Sequence, residues 1–258
     1  MMKLGARAAA AALPLLFGLT LYAVAQSEKF VATEADVRTV LHFKVSDRAI
    51  QKLLPAGWQV DSPTSGPYNG VNLHLFFIDR LLARDPEGKP LTSMRFAVQV
   101  VPAKKMGADA RGLMVVGGFA SHPNGTPGAY GNYAKAHADV GRKVRTDTAE
   151  TSTVEESWEF RAEDGDQLQL QLEYVRGMPT VSKGEAKAYS AIKPDFYRIY
   201  RFDQAADVLR GPGATNRVQK MSFKASGARL APTFDGSEQL LSVTSVPWYI
   251  RSTHLPGS

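Results

Sequence analysis

Two histidines and two arginines fall where extended segments present them on shared faces. His42 and His74 each lie on an alternating stretch, and two imidazoles meeting across a sheet can bind a metal or shuttle a proton. Otherwise the five histidines (His42, His74, His122, His137, His254) show no ligand spacing, and no metal is expected. Arg38, Lys44, Asn72, His74, Arg95 and Gln99 all occupy polar strand faces. If a cavity lies on that side, Arg38 or Arg95 can grip a carboxylate through paired N–H groups. If that side is solvent, they form an ordinary wet face. Tyr130 and Tyr133 stand in a Gly-rich segment, where they can cover a pocket mouth or simply pack the loop down. H-E-x-x-H, G-x-S-x-G and Walker patterns are missing, and Gly211-Pro212-Gly213 lacks the third glycine of a dinucleotide loop. No organic cofactor is expected.

The elements that must position these groups read mainly as strands. Val37, Thr39, Leu41, Phe43 and Val45 alternate with Arg38, His42 and Lys44, which predicts a strand after a loose arm over 26–35. Ser46 then offers a cap for a short helix over Asp47–Leu54, stopped by Pro55 and Gly57. Strands are predicted over Val71–Leu82 and Met94–Val101, with Asp85–Pro90 as a turn, and over Leu113–Ala120. Val154–Phe160 and Gln167–Val175 predict a hairpin around Asp164-Gly165. Helical turns are expected at Tyr133–Val140 and Gln204–Arg210, and an irregular excursion at Arg176–Lys193. Phe196–Phe202, Arg217–Lys224 and Leu240–Arg251 read as strands, the last edge-like because of Pro247. This pattern predicts a mostly β (α+β) chain: an antiparallel, barrel- or cone-like single domain with a few short helices.

Lys3 and Arg7, an apolar run over Ala8–Ala25 and the small residues Ala23 and Ala25 have the order of an export signal. The expected organisation is a signal peptide over 1–25 and one domain over 26–258, periplasmic or secreted, with no stable membrane anchor after cleavage. The sequence contains no cysteine, which rules out disulfides, thiol catalysis and a lipid-modified cysteine. Without Lys3 and Arg7 the chain keeps 29 basic and 25 acidic residues, a net +4, and these are interspersed, so no nucleic acid partner is expected. The oligomeric state is not encoded in any local pattern.

Val45–Val60, with Leu53-Leu54-Pro55-Ala56-Gly57 at its centre, resembles the strand–helix–"LLP-x-G" segment of the acetoacetate decarboxylase-like superfamily. Gly131-Asn132-Tyr133-Ala134-Lys135-Ala136 is similar to that superfamily's "G-F-P-K-K" region, and the resemblance spans residues 37–175. It implies a cone-like β-barrel with a closed internal pocket. In the decarboxylases a pocket lysine forms a Schiff base with a β-keto acid, and a second lysine keeps the first unprotonated by like-charge repulsion. Carried over, Lys135 is the Schiff-base lysine and Ala134 replaces its partner. The superfamily's acidic pocket residue falls in Arg95–Val101, which holds no carboxylate and offers only Gln99. The tandem pair Lys104-Lys105 lies earlier, where two solvated lysines are the ordinary reading.

Two functions follow. One is a decarboxylase-like enzyme that binds a small or hydrophobic carboxylate or ketone, with Lys135 as its catalytic group and Arg38, Arg95, Gln99, His74 and Tyr133 around the ligand. The other is a non-catalytic periplasmic binding or carrier protein on the same fold. A buried Lys135 beside a second cation favours the first, and an apolar cavity without a buried amine favours the second.

Overall fold

The computed structural model describes residues 28–146, 151–214 and 216–257. The expected signal peptide lies outside the described residues. The first strand, β1 (Lys29–Lys44), begins well before the alternating stretch, because the predicted arm pairs on both sides. Glu34 sits opposite Arg251 on one neighbour and Ala83 on the other, so the ladder satisfies backbone groups that an arm would leave to water. A short helix, α1 (Asp47–Gln51), and a short strand, β2 (Trp58–Val60), follow. The long hairpin β3 (Leu73–Arg84) and β4 (Met94–Lys105) turns where Asp85 accepts the backbone N–H groups of Glu87 and Lys89. Next come β5 (Arg111–Ala120), β6 (Tyr133–Thr146), β7 (Ser152–Ala162), β8 (Gln167–Val175), β9 (Thr180–Ser190), β10 (Tyr197–Arg210), β11 (Val218–Ser226) and β12 (Gln239–Leu255).

Three local expectations are corrected. Tyr133–Val140 is strand, paired with β7 from Ala136 onward, and Arg176–Lys193 contains β9. Gln204–Arg210 is the second half of β10, where Ala205, Asp207 and Leu209 are buried alternately, a period of two. The Gln-Ala-Ala composition favours a helix only weakly, and pairing with β12 outweighs it. Pro247 also does not mark an edge. β12 is flanked by β1 and β10, and Pro247 occupies a bulge in both ladders, where its missing N–H breaks no regular bond.

The sheet closes on itself. The order β5-β9-β10-β12-β1-β3-β4 returns to β5 through the β4–β5 pairing, a ring of seven strands. All its pairings are antiparallel except β5 with β9. The wing β6-β7-β8-β11 branches from β5 through a short parallel pairing and covers part of the ring's outer wall. Leu41, Phe43, Leu75, Phe77 and Ala97 of the wall share one apolar core with Val154, Trp158, Phe160, Leu168 and Leu170 of the wing. The Phe77 and Trp158 rings lie 5.7 Å apart. Full burial of side chains this size contributes about 1.5–3 kcal/mol each, so this interface fixes the ring's outside.

Candidate functional site

With one wall face buried under the wing, the other lines the ring's interior. Along β1 that face is Glu34, Asp36, Arg38, Val40 and His42, so the strand's polar side points inward. The interior is a cavity of about 560 Å³, within the range of small-molecule sites. On β4 the parity is opposite. Met94, Phe96, Val98 and Val100 line the cavity, while Ala97 and Val101 join the outer core. The β12 bulge has a direct consequence here. It shifts the alternation by one residue, so that Thr244 and Val246 on one side and Tyr249 and Arg251 on the other all reach the interior.

The polar groups form two clusters. In the first, Glu34 accepts from Arg80 at 2.9 Å and from Arg251 Nε at 2.5 Å. Asp36 receives a paired contact from Arg38, at 2.5 and 2.8 Å, and the Arg38 guanidinium lies 3.3 Å from the centre of the Tyr249 ring. The Tyr130 and Tyr200 hydroxyls bond to each other. Burial raises Tyr130 and Tyr133 above the ordinary tyrosine range, with Tyr200 adding to the effect, so their hydroxyls stay protonated. Arg198 stands apart within this cluster. Its Nε, like that of Arg80, is buried without a partner, and its side chain makes no hydrogen bond or ion pair among the described residues.

The second cluster is uncharged. His42 and His74 sit opposite each other on β1 and β3, with Nδ1 to Nδ1 at 2.7 Å. His42 Nε2 lies 3.0 Å from the Thr244 hydroxyl, and the Tyr68 ring stacks 4.5 Å from His42. Burial lowers His74 to about 4, and burial together with His74 lowers His42 well below the ordinary value. Both are neutral at neutral pH, so one Nδ1–H donates to the other Nδ1. The sign of the resulting pH dependence follows directly. Between pH 6.5 and 4 the unfolded chain binds protons that folded His74 refuses, so its stability contribution is full above pH 6.5 and is lost as pH falls toward 4. The shift corresponds to about 3 kcal/mol. Denaturant titrations at pH 7 and 4.5 should show a smaller loss in His74→Phe than in the wild type, and equal losses would refute the assignment.

Of the residues singled out from sequence, Arg38, His74 and Tyr133 line the cavity. Arg95 and Gln99 do not, because β4 turns its odd-numbered positions outward. Arg95 pairs with Asp79 at 3.1 Å on the surface, and buried Gln99 accepts the Thr233 hydroxyl at 3.1 Å behind the wall. Lys135 projects outside the ring, where its ammonium lies 2.8 Å from Glu163 with both side chains at least half exposed. No lysine lines the cavity among the described residues. Lys104 likewise faces Asp61 at 3.4 Å. Sequence reasoning missed Glu34, Asp36, Arg80, Arg198, Tyr200 and Arg251. The alternation Glu34-x-Asp36-x-Arg38 is the available signal, and a loose arm over 26–35 hides it.

No family model matches the chain, and no curated protein matches it. Solved structures do. The enduracididine biosynthesis enzyme MppR with HEPES buffer bound matches over 91% of this chain and 89% of its own, at 8% identity and a TM-score of 0.51. An acetoacetate decarboxylase-like enzyme from Sphingomonas wittichii RW1 matches over 90% and 93%, at 11% identity and a TM-score of 0.50. The fold of this chain is the one it shares with these two enzymes. The same MppR enzyme complexed with pyruvate also matches, over 90% of this chain and 91% of its own, at 9% identity and a TM-score of 0.50. On this shared frame the present chain lines its cavity with Arg38, Arg80, Arg198 and Arg251.

Proposed function

We propose that this protein is a non-catalytic binding or carrier protein that holds a hydrophobic carboxylate inside its ring. Arg198 carries the reading. Arg38 is paired with Asp36, and Arg80 and Arg251 share Glu34, whereas Arg198 brings a guanidinium without a side-chain partner to the same cavity. Arg198 is half-buried and its shielded Nε has no acceptor, and an anionic ligand would supply one. The protonated Tyr133 hydroxyl, which makes no hydrogen bond among the described residues, is a second donor beside it. MppR, which shares the fold, is described with HEPES buffer bound and complexed with pyruvate, and this supports a small anionic ligand. The apolar run over Ala8–Ala25 supports export of the carrier.

Calorimetric titration with medium-chain carboxylic acids tests the reading. Arg198→Met is expected to weaken binding by about 10- to 100-fold, the range for a hydrogen-bonded charge contact. Unchanged affinity would sink the carboxylate assignment. Schiff-base chemistry at Lys135 makes the opposite forecast for borohydride trapping with β-keto acids. The carrier reading expects no added mass, and an adduct abolished by Lys135→Ala would replace it with a lyase.

A further inference from the structure

We infer that the ligand is bifunctional: a carboxylic acid whose apolar chain ends in a hydroxyl, which the His42–His74–Thr244 cluster receives. The inference rests on the carboxylate reading above and adds a second anchor to it. Its ground is an incomplete hydrogen-bond set at the uncharged cluster. His42 uses both ring nitrogens, Nδ1 on His74 and Nε2 on Thr244. His74 uses only Nδ1, and its Nε2 has no hydrogen bond among the described residues, on a buried side chain that lines the cavity. The residue lines the cavity, where a ligand atom can pair with this free nitrogen.

The tautomers of the pair choose the ligand group. If His42 donates to His74, then Thr244 donates to His42, and His74 Nε2 carries a proton to offer. If His74 donates, His42 passes its other proton to Thr244, and His74 Nε2 is an acceptor. Thr244 serves either arrangement because a hydroxyl both donates and accepts. A ligand hydroxyl has the same property and satisfies His74 in both tautomers, whereas a carbonyl fits one. A charged group is disfavoured, since burial already keeps both imidazoles neutral and no ion pair lies at this cluster among the described residues.

The spacing requires a chain between the two groups. Arg38, the member of the charged cluster nearest along this face of β1, and His42 lie four residues apart, roughly 13 Å of strand. Between the clusters the lining is the cross-strand row Val40–Phe76–Val98, with Ile78, Val115 and Val246 around it. That surface suits an alkyl or aryl spacer and offers a second polar group nothing to bond to, so a β-keto acid, with its two groups adjacent, cannot meet both clusters.

The experiment compares matched acids by calorimetry on the full folded chain. Fatty acids from octanoic to tetradecanoic are paired with their ω-hydroxy and α-hydroxy derivatives. At the best-fitting length the wild type should bind the ω-hydroxy acid at least about tenfold more tightly than either the parent or the α-hydroxy isomer, because the parent leaves His74 unpaired. In His74→Phe the ω-over-parent ratio should fall to near one. Equal binding of all three acids by the wild type overturns the inference, as does an ω preference that survives in His74→Phe. The α-to-ω comparison needs no variant, so a misfolded His74→Phe does not protect the idea. If no acid binds, the carboxylate reading falls, and this inference with it. If the parent acids bind through Arg198 and ω-hydroxylation adds nothing, only the second anchor is lost.

Discussion

Glu34→Ala is expected to cost about 3–5 kcal/mol of stability, the range for removing one member of a buried charged network. Glu34 is 5% exposed and accepts from both Arg80 and Arg251. Its removal leaves the Arg80 and Arg251 guanidiniums, both held by this one carboxylate, without their acceptor. Burial pushes the Glu34 carboxyl up, but the charges and hydrogen bonds of Arg251 and Arg80 outweigh it and hold it at about 2. A carboxyl depressed in this way stabilises the fold fully above pH 4.5, and the contribution disappears as pH falls from 4.5 toward 2. At neutral pH the thermal midpoint of the alanine variant should drop by roughly 6–20 °C for a chain of this size. Glu34→Gln keeps the shape and one acceptor, so it should fall between the wild type and Glu34→Ala. An alanine variant as stable as the wild type would show that solvent or a rearranged Asp36 already carries the two arginines.

Glu156→Ala should be of similar size, about 3–5 kcal/mol, and it acts at a different place. Glu156 stands on β7 with its carboxylate buried between wing and ring. It accepts from Thr39 of β1 at 2.5 Å, Trp158 Nε1 at 3.2 Å, Tyr174 at 2.9 Å and Arg142 at 3.0 Å. The Tyr174 hydroxyl also lies 2.9 Å from Ser245 of β12, which ties a second ring strand into the network. Alanine leaves these donors without an acceptor in a dry interface, where each unpaired group is penalised. The loss should appear as faster amide exchange in β7 and β8 and as a shift in Trp158 fluorescence. Carboxylate binding at Arg198 should persist below the new midpoint. Loss of binding without loss of wing protection would place Glu156 in the ligand site instead of the scaffold.

These two carboxylates separate what is local from what is not. Period-two patterning alone determined that residues 37–45 and 167–175 are strands. Leu168, Leu170, Leu172 and Tyr174 are buried as their alternation requires, because a pleat exposes every second side chain to the same surroundings. Asp164-Gly165 determined a turn, where Gly165 takes a φ of +92° that a side chain would resist. The strand–helix–LLP stretch pointed to the fold later matched over most of the chain. Alternation says only that two faces differ, not which face is inside. The decision for Arg38 and His42 against Arg95 and Gln99 came from ring closure, in which β5 meets β9 with Leu113 beside Ala188. Once the wing covers one side of the wall, the same polar pattern becomes cavity lining on β1 and outer wall on β4. The bulge at Pro247 then brings Tyr249 and Arg251 inward. Arg198 is unremarkable in sequence, a single arginine between Tyr197 and Ile199. Its significance lies in what is not beside it, and only the tertiary structure decides which counter-charges come within reach.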